Sequence, residues 1–290
     1  MHVYVSTLCL SEGNDIFQVL ESYTGAGLKN VELSGRETPK YAGISHKYAD
    51  SLSPAKLKQY GLGFIVHNFP PSKEPLTMNL SSQDPVILRQ SREQIRKSVE
   101  FCHDLGIGLL TFHSGLRFDP DTKLRFHQDQ ALIPYEMAFN TFIESVEEIN
   151  SYAQQMGIRI AIENDVIDRR NRFPLLCEAE EFEMLWQRLP SSNIGILVDL
   201  GHVKVTSHWL GFDKYEFIDK VKDRVFAFHI DENSGYLDEH NKLDETSWCL
   251  EVIGRKCFAS AAMVLEIHKP TISEIIQQVS LIGETCNRNE

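Results

Sequence analysis

The stretch GILVDLGHVKV, residues 195–205, begins as an apolar run and then changes to an acid, Asp199, and an imidazole, His202. A short apolar run of this kind is typical of a strand in a parallel sheet, which is buried on both faces. Ionisable groups at the tip of such a strand are costly to bury unless they are paired or bind a cation. The stretch therefore predicts a buried strand whose end enters a functional site.

Seven other β-rich runs of similar length are each followed by helical periodicity or turn residues. In chain order, the eight runs are HVYVSTL (2–8), NVELSG (30–35), GFIVHNF (63–69), GLLTFHSG (108–115), IRIAIEN (158–164), GILVDLGH (195–202), RVFAFHID (224–231) and MVLEIHK (263–269). Residues 84–105 and 135–156 carry apolar residues at helical spacing and end near Gly106 and Gly157, which are natural C-cap positions. This alternation predicts parallel strands joined by right-handed crossovers.

Eight such units in 290 residues favour a (β/α)8 TIM barrel over an open doubly wound sheet. The segment STLCLSEGND, residues 6–15, has neither the GxGxxG pattern nor the Walker pattern that an open nucleotide-binding sheet carries after its first strand. Beyond the strand–helix period we find no repeat, low-complexity segment or linker. We therefore expect a single domain over residues 1–290.

The composition, 42% hydrophobic and 24% charged, is that of a soluble globular protein. The formal net charge of -12 argues mildly against a protein that coats polyanions, although a basic groove or bound cations offset such a charge locally. The N-terminal run is too short for a signal peptide, and no stretch approaches the roughly 20 apolar residues of a membrane span. Six cysteines without CxxC pairs are typical of reduced thiols, so we expect a cytoplasmic protein.

Seven of the eight runs end in residues that bind metals or transfer protons. These residues are Glu32, His67, His113, Glu163, Asp199 with His202, His229 and Glu266. In a TIM barrel the C-terminal ends of the strands face a shared mouth, where catalytic groups collect. A mixed set of His, Asp and Glu is typical of Mn²⁺, Zn²⁺, Fe²⁺ or Co²⁺ ligands, and so many buried acids need a cation. The pattern predicts a divalent-metal site.

The segments IAIEN, VDLGH, HIDENSGYLDEH and VLEIH resemble the ligand-bearing ends of strands five to eight in the xylose-isomerase-like TIM barrels. This superfamily includes sugar and sugar-phosphate isomerases and epimerases, and the endonuclease IV type of abasic-site endonuclease. The resemblance runs over nearly the whole chain. It implies that Glu163, Asp199, His229 and Glu266 hold one divalent ion, Zn²⁺, Mn²⁺ or Mg²⁺.

A second set of residues resembles the remaining ligands of the trinuclear zinc cluster of endonuclease IV. The set is His67, His113, His202, Asp238 and His240, with the Asp-x-His spacing of that enzyme in the segment DEH. Residues 68–115 also resemble the third and fourth units of that enzyme. Many sugar-isomerase relatives keep a similar Asp-x-His segment and a strand-four histidine. The resemblance therefore leaves additional metal binding and substrate binding open for these five residues.

Other segments are more similar to the sugar enzymes. GAGLKNVELSG, residues 25–35, is similar to their second unit, in which an acidic or polar residue at the strand end contacts substrate, and Glu32 stands there. The first strand, HVYVSTLCL, does not resemble the start of endonuclease IV. In NKLDETSW, residues 241–248, Asp244 and Thr246 replace a Gly-x-Gly turn that is usual in both branches, so we expect an altered loop over the site.

The favoured function is a sugar or sugar-phosphate isomerase or epimerase that acts through a metal-stabilised enediolate. Glu163 and Glu266 would serve as base and acid, and His202 would contact substrate or metal. Arg117, just past His113, is a candidate phosphate contact. The segment DRRNR, with Arg169, Arg170 and Arg172, is another, although a solvated loop is the simpler interpretation.

Two other functions stay open. In the first, all nine metal-binding residues hold three zinc ions in a phosphodiesterase whose partner is abasic DNA. In the second, a catalytically silent barrel binds a sugar or metal, which the loss of a core ligand would favour; none is lost. A homodimer is compatible with the family, but no feature demands it. Six histidines receive no role: His2, His46, His103, His127, His208 and His268.

Overall fold

The computed structural model describes residues 2–12, 14–35, 52–70, 77–119, 131–169 and 171–287. Its strands are β1 (Val3–Ser6), β2 (Asn30–Ser34), β3 (Gly63–His67), β4 (Leu109–Phe112), β5 (Arg159–Glu163), β6 (Ile194–Asp199), β7 (Val225–Ile230) and β8 (Ala262–Leu265). Its helices are α1 (Ile16–Gly25), α2 (Pro54–Lys58), α3 (Pro85–Leu105), α4 (Tyr135–Gln155), α5 (Ala179–Arg188), α6 (Leu200–Leu210), α7 (Lys214–Val221), α8 (Trp248–Ile253) and α9 (Ile272–Asn287). Short 3-10 turns occupy Thr7–Leu10, Lys222–Arg224 and Lys256–Phe258.

The eight strands form a closed barrel in sequence order, and every neighbouring pair is parallel. Closure comes from β1 and β8, where Val5 pairs with Leu265. The predicted (β/α)8 barrel is therefore confirmed, and each of the eight predicted runs overlaps one strand. Because all strands point the same way, their C-terminal ends lie at one mouth.

Side-chain alternation along the strands separates the core into two layers. Ile196 and Val198 of β6 join the large cluster between the barrel and its helices, whereas Leu197 lies in a smaller cluster with Leu109, Ala161 and Ala227. This smaller cluster fills the barrel interior. Since successive side chains of a strand point to opposite faces, Asp199 lies on the same inner face as Leu197. The same period places Glu163 two residues after Ala161 and His229 two residues after Ala227, at the mouth.

The two long predicted helices are confirmed with small shifts at their ends. Helix α3 begins after Asp84, whose carboxylate accepts the backbone N–H groups of Val86 and Ile87, and ends at Gly106 with φ 75°. Glycine suits that left-handed C-cap because it has no Cβ to clash. Helix α4 ends at Gln155, and Gly157 follows its cap with φ 70°.

Within the described ranges, none of the helices is both long enough and apolar enough to cross a membrane.

Candidate metal centre

The first ligand group, here the central group, surrounds the Nδ1 atom of His229. That nitrogen lies 3.2 Å from Glu163 Oε1, 3.7 Å from Asp199 Oδ2 and 2.9 Å from Glu266 Oε2. Ligand atoms of Glu163, Asp199 and His229 all lie within 4.8 Å of one another. The four residues come from β5, β6, β7 and the position just after β8. The barrel thus brings together the four side chains that the sequence assigns to one ion.

Glu32 lies against the opposite edge of the same imidazole. Its Oε2 is 3.0 Å from His229 Nε2, and the residue is 0% exposed. A carboxylate at one ring nitrogen fixes the tautomer and directs the other nitrogen toward a metal. This placement favours a role for Glu32 in orienting His229 over the predicted contact with substrate.

The second group consists of His67, His113 and Glu163. Glu163 Oε2 lies 3.3 Å from His67 Nε2 and 3.1 Å from His113 Nε2, so Glu163 is shared with the central group. The Thr111 hydroxyl donates its proton to the Val66 carbonyl. The same oxygen, Oγ1, lies 2.9 Å from His67 Nδ1 and therefore accepts a hydrogen bond from it. The Nε2 lone pair of His67 is left on the side of Glu163, although the Asn68 amide also approaches it at 2.9 Å.

The third group consists of His202, Asp238 and His240. His202 Nδ1 donates to the Asn164 carbonyl over 2.8 Å, which leaves Nε2 on the side of Asp238, 3.5 Å away. His240 Nε2 lies 3.1 Å from the same Asp238 oxygen, Oδ2. Asp199 also caps helix α6 by accepting the backbone N–H of His202 over 2.8 Å. The nine predicted ligands thus form three groups at one mouth, and Glu32 makes a further candidate group with His67 and His229.

Charge is the strongest argument that these residues fit cations. Within the described ranges, all the ion pairs of the clustered carboxylates are with histidines, and none is with lysine or arginine. Buried oxygens without a hydrogen bond include Glu163 Oε2, Asp199 Oδ2 and Asp238 Oδ1. A buried carboxylate oxygen without a hydrogen bond is costly, and a bound divalent cation would offset that cost. The donor set, imidazole nitrogen with carboxylate oxygen, suits Zn²⁺ or Mn²⁺.

The cluster shifts the pKa values of its own members. Burial lowers the pKa of the His67 imidazole to about 3, so this ring is neutral and can bind a metal near pH 7. Burial alone would raise the pKa of the Glu163 carboxyl, but the imidazoles of His113, His67 and His229 hold it well below its usual value. Burial also favours the neutral form of Glu266. The adjacent His229 outweighs this effect and lowers the pKa of the Glu266 carboxyl. Both carboxylates are therefore ionised and ready to bind a cation.

The predicted phosphate contacts lie outside these groups. Arg117 donates from Nε to the Ile133 carbonyl over 3.1 Å and is partly buried. Arg169 and Arg172 are exposed, which agrees with a solvated loop, and Arg170 lies outside the described residues. In the loop after Asp238, the Thr246 hydroxyl and N–H both donate to Asp244 Oδ1, over 2.6 and 2.8 Å.

Among the described histidines without a predicted role, His268 alone contacts a ligand group, since its ring centroid is 4.5 Å from that of His240. His46 and His127 lie outside the described residues.

Sequence reasoning missed several residues that support the groups. Thr111 and Asn164 hold His67 and His202, and Asp231 lies with Oδ2 3.1 Å from His240 Nδ1. Strand alternation is the signal for Asp231, because it follows His229 by two residues and so lies on the same inner face. For Asn164 the sequence holds no such signal, since a backbone carbonyl makes the contact.

Comparisons with known proteins agree with this architecture. A family model described as xylose isomerase-like TIM barrel matches residues 24–276. A crystal structure of a D-tagatose 3-epimerase-like protein has a TM-score of 0.74 at 20% identity and covers 100% of this chain and 98% of its own. The IolI protein with a binding zinc atom has a TM-score of 0.70 at 15% identity, with coverage of 100% and 99%. At these identities the likeness concerns the fold.

A curated relative is uncharacterized protein MJ1614 of Methanocaldococcus jannaschii. It is 27% identical over 187 residues, which are 63% of this chain and 61% of that protein. The chain therefore matches less than two thirds of the length of this relative.

Proposed function

The chain belongs to the family of xylose isomerase-like TIM barrels, and from that premise we propose that it is a metal-dependent isomerase or epimerase of a sugar or sugar phosphate. The D-tagatose 3-epimerase-like protein, similar over the whole fold, supports this substrate class. The zinc atom named for IolI supports the metal.

One observation carries the proposal. Glu163 and Glu266 come from β5 and from the end of β8, and both approach the same nitrogen of His229, over 3.2 and 2.9 Å. Two strands, β6 and β7, separate them around the barrel. Two carboxylates placed in this way would share one ion and would flank a small substrate bound between them.

The reaction that suits this arrangement is proton transfer at a carbon next to a carbonyl. A divalent cation, when bound, supplies the positive charge that stabilises the enediolate. Both carboxylates are nearly buried and ionised, so either would take the proton from the carbon on its own side of the substrate. The other would act as the acid only after taking up a proton, which it would then give to the opposite face. Asp199 and His229 would complete the ligand set, and Glu32 would keep the His229 ring oriented.

A second candidate function is a phosphodiesterase, which the second and third ligand groups favour. Glu163 belongs to both the central and the second group, so neighbouring ions would share a ligand. Several divalent ions, when bound, activate water near neutral pH and neutralise a leaving oxygen. Exposed Arg169 and Arg172 are then available to a nucleic-acid backbone. The net charge of -12 and the epimerase-like fold favour the sugar substrate.

The test begins with protein stripped of metal by a chelator and reloaded with Mn²⁺, Co²⁺, Zn²⁺ or Mg²⁺. A panel of ketoses and ketose phosphates is incubated in D₂O, and proton NMR follows deuterium entering the carbon next to the carbonyl. We expect metal-dependent exchange with at least one substrate. The Glu163→Gln variant should lose it by about a hundredfold or more, because base and ligand are both lost.

Glu144→Gln, on the exposed side of α4, is the matched control and should keep full activity. Retained turnover in Glu163→Gln contradicts the site assignment. Cleavage of an abasic-site oligonucleotide, without turnover of any sugar in the panel, replaces the isomerase with the second candidate.

A further inference from the structure

Asp231 is a buried carboxylate at the mouth that the proposed reaction does not use. It follows β7 directly and is 0% exposed. Its Oδ2 lies 3.1 Å from His240 Nδ1. In the described part of the chain, neither of its oxygens has a regular hydrogen bond. A fully buried acid in this state is costly, so its retention at this position calls for a specific partner.

That partner is the imidazole of His240. The Nδ1 of this ring lies between two acceptors, the Glu266 carbonyl at 3.2 Å and Asp231 Oδ2 at 3.1 Å. With Nδ1 protonated, the Nε2 lone pair is directed toward Asp238, 3.1 Å away. The backbone of His240 has φ 48°, a left-handed conformation that is strained for a residue other than glycine. The chain thus accepts strain to hold this ring in place.

The chain also makes room for Asp231. A Cβ atom on Gly201 would lie 2.4 Å from Asp231 Oδ1, so any other residue at 201 would displace the Asp231 carboxylate or the backbone. Gly201 directly precedes His202, and its carbonyl accepts the amide of Asn233 over 3.0 Å. The Asp231 carboxylate therefore lies between the start of α6, which carries His202, and the loop that carries Asp238 and His240.

We propose that Asp231 is a positioning residue of the third group: it holds the protonated Nδ1 of His240, so that Nε2 binds a divalent cation together with His202 and Asp238. The proposal rests on the metal dependence of the proposed function, and it adds a second ion to the one at the central group. Carboxylates that orient metal-binding histidines typically change metal affinity by about 10–100-fold when they are removed.

The test titrates the chelator-stripped full chain with Co²⁺ and follows its visible absorption, which reports the ligand field of each site. Wild type should bind at least two ions. Asp231→Asn should weaken one of them by about tenfold, and Asp231→Ala by up to about a hundredfold, with the central site unchanged. His240→Gln should remove the same absorption band, and adding Asp231→Asn to it should cause little further loss. Asp223→Asn, an exposed change on a 3-10 turn, is the control.

Histidine-labelled wild type gives a second measurement that does not depend on how the variants fold. In the zinc-loaded protein, nitrogen NMR should find His240 protonated at Nδ1, with assignment from His240→Gln. Protonation at Nε2 overturns the proposal, as does unchanged affinity in Asp231→Ala.

The failures of the two proposals are distinguishable. Binding of one ion only, at the central group, overturns the role of Asp231 and leaves the proposed isomerase intact. Binding of no ion overturns both.

Discussion

Four imidazoles at the mouth each use one ring nitrogen to contact a hydroxyl, a backbone carbonyl or a carboxylate that orients the ring. The acceptors are Thr111 Oγ1 for His67, the Asn164 carbonyl for His202, Glu32 for His229, and the Glu266 carbonyl with Asp231 for His240. In each ring the other nitrogen lies near a carboxylate of a ligand group. This division of roles is what a metal-binding histidine requires, because it fixes both tautomer and orientation.

We predict that Glu32→Gln weakens metal binding at the central group by about 10–100-fold, because a neutral amide orients the His229 ring without the negative charge of the carboxylate. Equilibrium dialysis against Mn²⁺ or Zn²⁺ measures the change. Glu144→Gln should bind like wild type. An unaltered affinity in Glu32→Gln, together with a large rise in KM for sugar, would return Glu32 to the substrate contact that the sequence predicts.

The sequence was sufficient to predict that the candidate ligands lie together, and insufficient for the residues that orient them. Glu163, Asp199 and His229 end apolar runs, so their chemistry stands out against the residues before them. Thr111 and Glu32 orient histidines only because the fold places His67 and His229 beside them. Such a contact depends on register and closure, which a single sequence does not reveal.

Among the elements, the transition from β6 to α6 is the most constrained. Asp199 ends the strand, caps the helix and belongs to the central group, and two residues later Gly201 makes room for Asp231. Packing against Asp231, and not backbone conformation, therefore favours glycine at this position of VDLGH.

We predict that Gly201→Ala destabilises the fold by about 1–3 kcal/mol, as over-packing of a buried site typically does. The helical Gly283 is the matched control, because a Cβ there meets nothing within 4 Å. Gly283→Ala should instead stabilise α9 by about 0.5–1 kcal/mol. Urea unfolding monitored by circular dichroism measures both changes. Equal stability of the two variants would show that Asp231 moves freely away from residue 201.

Strand and helix positions were predictable because periodicity is a local property. All eight runs overlap strands, and the helices predicted at 84–105 and 135–156 are observed at Pro85–Leu105 and Tyr135–Gln155. His202 was expected at a strand end and lies instead in the first turn of α6. The boundary moved because Asp199 accepts the His202 N–H and begins the helix there.

For the whole molecule, the concentration of acid at one mouth makes metal binding depend on pH. Burial alone would lower the pKa of His229, but Glu266, Glu32 and Glu163 raise it well above its ordinary value. Asp199 and Asp238 likewise outweigh burial and raise the pKa of His202. In the metal-free protein these rings are protonated, and their charge interactions with the carboxylates stabilise the fold. This stabilisation is present at low pH and is lost as the pH rises through the raised pKa values.

A cation must displace these protons, since only neutral imidazole binds metal. We predict that metal affinity rises with pH between about 6 and 8, and that more than one proton is released per ion. Calorimetry in buffers of different ionisation enthalpy counts the protons. Binding that is independent of pH and releases no proton would mean that the imidazoles are not ligands.

The central claim, a divalent-cation site built on Glu163, is tested most directly by counting ions. Chelator-stripped protein is dialysed at pH 8 against micromolar Zn²⁺ or Mn²⁺, and the bound metal is measured by mass spectrometry beside Glu163→Gln and Glu144→Gln. We predict at least one ion per chain in wild type and in Glu144→Gln, and a marked loss in Glu163→Gln. Wild type without bound metal, or Glu163→Gln with the full amount, would contradict the account.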